Sequence, residues 1–278
     1  MKKTYLIILL AALSLYAQEK DSTFYKWTPS LITGVNISQI SFKDWSQGGE
    51  NAITWTLTGD FQLIYKTEDW RFKNQLKAAY GRTKLGSAIY KTNANEIYLE
   101  DVVSRRIGWA VNPFISNTVR TQIAKGYNYD TDPVQEIADL FDPGYITQSI
   151  GFTYDQSGMI TSRIGLAFQE VITNKYTHYT DDPETPEIET FKFETGIESV
   201  TDTKIVVAEN VEWQSKLRLF SRFETLDVWD VRWDNTVIAS VNSWLKVNFA
   251  FLLVYEKAQS LKTQMKQALQ IGIVYNIL

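Results

Sequence analysis

Residues Ile53–Tyr65 read ITWTLTGDFQLIY, and this stretch indicates the class of fold. The odd positions carry apolar side chains apart from one glycine, whereas the even positions carry threonine, aspartate or glutamine, except for Ile64. Because successive side chains of a β-strand point to opposite faces, this period of two predicts a strand with one apolar and one polar face. A soluble β-sandwich and a membrane β-barrel both contain such strands, so the rest of the chain must distinguish them.

The same alternation recurs along most of the chain, and no later apolar run approaches the roughly 20 residues of a membrane-spanning helix. We therefore predict about twelve strands. They are expected at residues 28–41, 52–65, 70–81, 95–106, 109–122, 144–155, 159–175, 191–202, 205–221, 228–241, 244–256 and 265–278.

The links between these segments alternate between short and long. Outer-membrane β-barrels have short periplasmic turns and longer external loops, and an even number of strands brings both chain ends to the periplasmic side. In a soluble β-meander, nothing requires short and long links to alternate. We therefore predict an all-β fold, a transmembrane antiparallel up-and-down β-barrel over residues 18–278. The short links are expected at 66–69, 107–108, 156–158, 203–204 and 242–243, and the long ones at 42–51, 82–94, 123–143, 176–190, 222–227 and 257–264.

Aromatic residues stand beside both kinds of link. Amphipathic rings favour the level of the lipid headgroups, so a girdle is expected at each membrane interface. Near the short links these rings are Tyr65, Trp70, Trp109, Tyr154 and Trp244, and near the long links Tyr80, Tyr176 and Tyr255.

The N-terminus predicts export. Lys2 and Lys3 precede an apolar run over residues 5–15, and Ala17 follows, which is typical of a signal peptide over residues 1–17. The chain has no cysteine, which excludes a lipidated cysteine and disulfides. Export and a barrel together predict the outer membrane, with its lipid and the barrel-assembly machinery as partners.

The composition agrees with a barrel and disfavours other classes. The net charge is −4 with both signs interspersed, so nucleic acid is not an expected partner. The mean hydropathy of −0.22 is low for a membrane protein. It is compatible with a barrel because half of each spanning strand faces a polar lumen.

No catalytic, metal or cofactor site is predicted. His178 is the only histidine, and no G-x-S-x-G motif accompanies it. An outer-membrane hydrolase would need His178 beside a serine such as Ser162 or Ser221. The acidic loops around residues 130–142 and 181–189 offer oxygen ligands for calcium, yet neither has EF-hand spacing.

Charged residues on the polar rows are the best candidates for function. Facing the lumen, they can line a path for small polar solutes. They can equally pair across the lumen and plug it, which would leave a structural or surface-binding role for the outer loops. The candidate lumen-lining residues are Arg71, Lys73, Lys77, Arg163, Glu194, Glu198, Glu212, Lys216, Arg218, Arg232, Asp234 and Lys246.

Residues Asn36–Asn51 read NISQISFKDWSQGGEN, a pattern of the form NxSQxSFxxWxxGGEN. It resembles the start of an uncharacterised family of exported proteins of Bacteroidetes-type Gram-negative bacteria, domain of unknown function 3078. Weaker partial matches to the same family are AYGRTK at 79–84, NSWLKVN at 242–248 and GIVYNI at 272–277. The resemblance implies an outer-membrane β-barrel and no known activity.

Read from its residues, this motif predicts a long external hairpin between the first two strands. Phe42 and Trp45 would anchor its base, and Gly48 and Gly49 would allow backbone angles closed to other residues. Glu50 and Asn51 could cap the turn or reach a ligand. A structural hairpin and a recognition loop at the cell surface both fit.

Overall fold

The computed structural model describes residues 24–43, 49–155, 158–182, 184–257 and 262–277, and these form an almost purely β structure. Two single-turn 3-10 helices interrupt it, at Thr177–Tyr179 and Phe223–Thr225. No helix within these ranges is long and apolar enough to span a membrane. The strands are β1 (Trp27–Ile40), β2 (Ala52–Lys66), β3 (Trp70–Leu85), β4 (Lys91–Arg105), β5 (Asn112–Thr121), β6 (Gly126–Asn128), β7 (Gln135–Ala138), β8 (Gly144–Tyr154), β9 (Ile160–Ile172), β10 (Phe191–Ala208), β11 (Val211–Arg222), β12 (Trp229–Ser240), β13 (Leu245–Tyr255) and β14 (Gln264–Asn276).

Twelve of these strands close into one antiparallel barrel. Each pairs with its neighbours in the chain, and β6 and β7 form a separate hairpin inserted between β5 and β8. The barrel closes where β1 pairs with β14, from Ile32 opposite Asn276 to Ile37 opposite Ile271. This pairing joins the first and last strands of the barrel, and a hydrocarbon surrounding requires such closure.

The barrel is apolar outside and polar inside. Ile115, Ile164 and Leu269 are 60%, 58% and 65% exposed on the outer wall, whereas Glu100 and Ser149 are 0% and 2% exposed inside it. This is the reverse of a soluble domain and suits a wall that faces lipid tails. The predicted fold class, a transmembrane up-and-down β-barrel of about twelve strands, is confirmed.

An aromatic cluster lies where the opening stretch ends. The ring of Tyr65, the penultimate residue of β2, lies 4.8 Å from that of Trp27, and Trp27 meets Phe72 edge-on at 5.6 Å. The guanidinium of Arg105 lies 5.4 Å from the Trp70 ring. Such rings and cations mark a membrane interface, here at the end with short turns.

The expected links need correction at two places. The short link predicted at 203–204 is wrong, because β10 continues to Ala208 and the turn to β11 lies at 209–210. The loop predicted over 82–94 is wrong, because β3 continues to Leu85 and β4 begins at Lys91. Thr83 still pairs with Lys91, so this hairpin extends as a ladder, and Gly86 at φ +47° closes a tight turn. The links 86–90 and 223–228 are thus no longer than 106–111 at the opposite end. The remaining links at the external end are 41–51, 122–143, 173–190 and 256–263.

Candidate functional site in the barrel lumen

Charged side chains converge inside the barrel because the polar row of each strand points there. A cavity of about 1050 Å³ occupies the side bounded mainly by β1–β4 and β11–β14. Of the twelve residues singled out from sequence, eight line this cavity: Lys77, Glu198, Glu212, Lys216, Arg218, Arg232, Asp234 and Lys246. The other four, Arg71, Lys73, Arg163 and Glu194, form ion pairs outside this lining.

Glu100 on β4 is the centre of a buried ion cluster. Its carboxylate accepts hydrogen bonds from Arg163 on β9 at 2.5 Å and from Lys216 on β11 at 2.9 Å. Lys73 on β3 lies 3.7 Å away, and Asp202 lies within 4 Å of both Arg163 and Lys216. Glu100, Arg163, Lys216 and Asp202 each have at least two partners of opposite charge, as burial requires.

Glu100 is not among the candidate lumen-lining residues named from the sequence, although the alternation around it predicts an inward side chain. Glu96, Tyr98 and Glu100 alternate with Ile97 and Leu99, the same period of two. This stretch lies within a segment whose flanks blur the pattern. The inward row of β4 therefore did not stand out from the sequence.

A second bridge crosses the lumen closer to the external end. The Arg232 guanidinium on β12 lies 2.9 Å from Glu96 on β4 and 2.9 Å from Asp234 on its own strand. β4 and β12 lie on opposite sides of the barrel order. This bridge and the Glu100 cluster therefore narrow the lumen.

A third group of charges runs up the wall formed by β8–β12. Arg218 donates to Glu198 at 2.6 Å and to Gln169 at 2.9 Å, and Ser149 also donates to Glu198. Near the external rim, Arg222 binds Glu194 at 2.7 Å and Asp230 at 2.8 Å. Most charge on this wall is thereby neutralised.

The cavity extends along the barrel between its two ends. Ser240 and Lys246 line it beside a periplasmic turn, whereas Ser38 and Thr54 line it near an external hairpin. Lys266 on β14 also lines it, and its ammonium donates to the carbonyl of Asn93 across the lumen at 2.5 Å. The lining thus combines hydroxyls, amides and charges along its length.

The hairpin motif connects the links 41–51 and 86–90, and four of its six selected residues are described: Phe42, Gly49, Glu50 and Asn51. The Asn51 side chain accepts the Phe42 N–H at 2.6 Å. Gly49, at φ +136°, lies beneath the Phe42 ring, and the Glu50 side chain packs against Gly86. The predicted anchors Trp45 and Gly48 lie outside the described residues, as does the predicted signal peptide.

His178 lies in the external link 173–190, whereas the candidate serines Ser162 and Ser221 lie on β9 and β11. Its ring lies 3.8 Å from that of Tyr179 at a tilt of 39°, and burial lowers the pKa of its imidazole. Ser162 shares a hydrogen bond with Thr201, and Ser221 donates to the Thr225 carbonyl. The described contacts of these residues therefore assemble no Ser-His pair.

The acidic external links are organised by hydrogen bonds. Glu136 binds Lys125 at 2.9 Å and accepts from the Tyr176 hydroxyl. These two bonds, led by that of Tyr176, lower the pKa of Glu136 to about 2. Asp142 accepts the backbone N–H groups of residues 174–176. In the part of the chain described, no three acidic or histidine side chains are grouped to hold a metal ion.

Closure, an apolar outer wall and a polar lumen define the chain as a transmembrane β-barrel of the outer-membrane kind. Residues 37–127 match the family model described as "Protein of unknown function (DUF3078)", which confirms the resemblance read from the hairpin motif. No curated protein matches the sequence.

Three solved structures align with most of this chain at low sequence identity. The translocator domain of autotransporter NalP from Neisseria meningitidis has a TM-score of 0.40 and 9% identity, covering 99% of this chain and 95% of that one. The COG4313 outer membrane channel from Pseudomonas putida F1 also has a TM-score of 0.40 and 9% identity, covering 94% and 98%. Pseudomonas putida OprB has a TM-score of 0.33 and 7% identity, covering 90% and 94%.

Proposed function

We propose that this protein is a narrow channel or facilitator for small polar solutes in the outer membrane, reached after removal of residues 1–17. The cavity of about 1050 Å³ is the observation that carries the proposal. Its lining reaches from Lys246 beside a periplasmic turn to Ser38 near an external hairpin. Lipid on the outer wall and the assembly machinery during insertion are the partners that such a barrel needs.

The charges that narrow the lumen also give it a means of selection. Arg232 and Glu96 meet across the barrel, so a passing solute must pass beside a fixed cation and a fixed anion. Rings and pairs of charged side chains select ions and small polar molecules in membrane pores. A large solute does not fit past these side chains. An apolar solute offers the charged groups no polar contacts.

Conductance of the purified protein in planar bilayers tests the proposal. We expect small, discrete openings for the native chain and larger ones for Arg232→Ala, because this change removes the bridge between β12 and β4. Arg105→Ala is the matched control, since Arg105 lies beside Trp70 at the membrane interface. Absence of conductance in both the native and the Arg232→Ala proteins would contradict a channel.

A plugged barrel with a structural or binding role is the second candidate. The Glu100 cluster favours it, because ion pairs from β4 to β9 and β11 brace the lumen. In that case Arg232→Ala would give no conductance in planar bilayers. Glu100→Gln would lower the stability of the barrel without opening a path through the lumen. The external links would then be the functional surface.

Hydrolysis is the weakest candidate, and we propose that the protein is not an enzyme. The described contacts of His178 are with Tyr179 rather than with a serine hydroxyl. We therefore expect His178→Ala to leave the rate of ester or phospholipid hydrolysis by the purified barrel unchanged from background. Loss of a measurable activity in this variant would reverse that expectation.

A further inference from the structure

Four polar residues lie in one row on the outer wall of the barrel, where lipid tails are expected. The strand register places Asn74 of β3 opposite Asp101 of β4, Asp101 opposite Asn117 of β5, and Asn117 opposite Gln148 of β8. We call these four residues the outer polar row. Their neighbours on each strand point inward, as the fully buried Glu100 shows for β4.

The rows on both sides of the outer polar row are apolar. Toward the external end the register aligns Leu76, Leu99, Val119 and Ile146, and toward the periplasm Phe72, Val103, Ile115 and Ile150. Ile115 and Ile150 are 60% and 51% exposed, which confirms that this face points away from the lumen. The polar row is thus a confined interruption of an apolar wall.

The row lies within the hydrocarbon layer. Asp101 precedes Arg105 by four residues, about 13 Å along a strand. At a tilt of about 45°, that places Asp101 about 9 Å above the interface marked by Arg105 and Trp70. The apolar band of such barrels is about 25 Å tall, so the carboxylate is well inside it.

The row is only partly satisfied within one chain. Asn74 donates to Oδ1 of Asp101 at 2.7 Å. Among the residues that the structure describes, the side chains of Asn117 and Gln148 form no hydrogen bond with another side chain or the backbone. Polar groups without partners are costly in lipid, so those found there usually pair with other polar groups and serve a function.

We propose that the outer polar row is the centre of an interface with a second copy of this chain. The row is self-complementary, because Asp101 provides an acceptor while Asn117 and Gln148 provide amide donors. A two-fold axis places the same patch against itself, so each carboxylate meets the amides of the other copy. Polar side chains associate membrane segments in this way, since lipid gives apolar surfaces no reason to associate.

Disulfide cross-linking in intact membranes tests the interface directly. The chain contains no cysteine, so Asn117→Cys introduces the only thiol. On mild oxidation we expect a band at twice the monomer mass. Leu217→Cys on β11 is the control, since it replaces an outer-wall residue on the other side of the barrel and should stay monomeric.

The mass of the folded barrel in detergent gives a second, independent readout. The native chain should be dimeric, and Asp101→Leu should weaken the dimer about tenfold or more. Ser199→Leu, a polar-to-apolar change on the outer wall of β10, should not. A native monomer, an Asp101→Leu protein that remains dimeric, or Asn117→Cys cross-linked to a protein of another mass would each overturn the proposal.

Discussion

The ammonium of Lys216 on β11 lies 2.9 Å from both carboxylate oxygens of Glu100 on β4, across the lumen from one wall to the other. Glu100 is completely buried, and Arg163 and Lys73 approach the same carboxylate. One anion therefore pairs with cations from three separate strands. Among the described residues, its removal would leave Asp202 as the only carboxylate within 4 Å of Arg163 and Lys216, and Lys73 with none.

Glu100→Gln should accordingly destabilise the barrel strongly. Breaking a buried ion pair by removing one partner costs about 3–5 kcal/mol. The measurement is equilibrium unfolding in detergent, followed by the loss of β structure. Lys77→Gln is the matched control, because the Lys77–Asp60 pair is 3.9 Å apart and partly exposed, so its loss should cost at most about 1 kcal/mol. Equal effects of the two changes would contradict a central role for Glu100.

Lys246 should influence which ions pass if the lumen conducts. It lines the cavity beside a periplasmic turn, and no carboxylate pairs with it among the described residues. Lys246→Glu should shift the reversal potential under a salt gradient toward cation selectivity, because it replaces a fixed positive charge. Lys84→Glu, beside Tyr90 in an external hairpin, makes the same charge change outside the cavity. A similar shift of the reversal potential in both variants would show that Lys246 does not determine the ion selectivity.

The external hairpin of β6 and β7 should stay docked well into the acid range. Its Glu136 has a pKa of about 2, below the value near 4.3 of a free glutamate. The bonds of Glu136 therefore contribute fully above about pH 4 and are lost as the pH falls through about 2. Limited pepsin digestion across this range should show cleavage at 122–143 appearing only near pH 2.

A variant of Glu136 separates this effect from general acid unfolding. Glu136→Gln should open the same segment to a neutral protease at pH 7, because the charge that holds Lys125 is lost. Glu187→Gln, an exposed carboxylate in the link 173–190, should not. Cleavage of the native chain already at pH 4 would contradict the assignment.

Gly49 should be the least replaceable of the described motif residues. Its φ of +136° strains any other residue, and an added Cβ would lie 2.7 Å from the Phe42 ring. Gly108→Ala, also at positive φ but with open space around it, isolates the backbone cost of about 1 kcal/mol. Gly49→Ala should cost about 1–3 kcal/mol more because the ring must move. Thermal unfolding that ranks the two variants equally would show that Phe42 adapts freely.

Much of the architecture follows from short-range pattern. The alternation from Ile53 to Tyr65 predicts both the strand and its orientation, since a shift of one residue would turn every side chain over. β2 extends over Ala52–Lys66, close to the predicted 52–65. The error at 82–94 arose because polar residues such as Thr83 and Lys91 occur equally in loops and in strand ends beyond the membrane.

The sequence by itself determined that the chain forms about twelve amphipathic strands with apolar rows outward, because that information repeats every two residues. Only the tertiary structure decided that Glu100 meets Lys216, and that Asn74, Asp101, Asn117 and Gln148 lie side by side in one row. Strand tilt, register and loop length set these relationships together. A side chain's partners across a lumen or along an outer wall depend on how the whole ring closes.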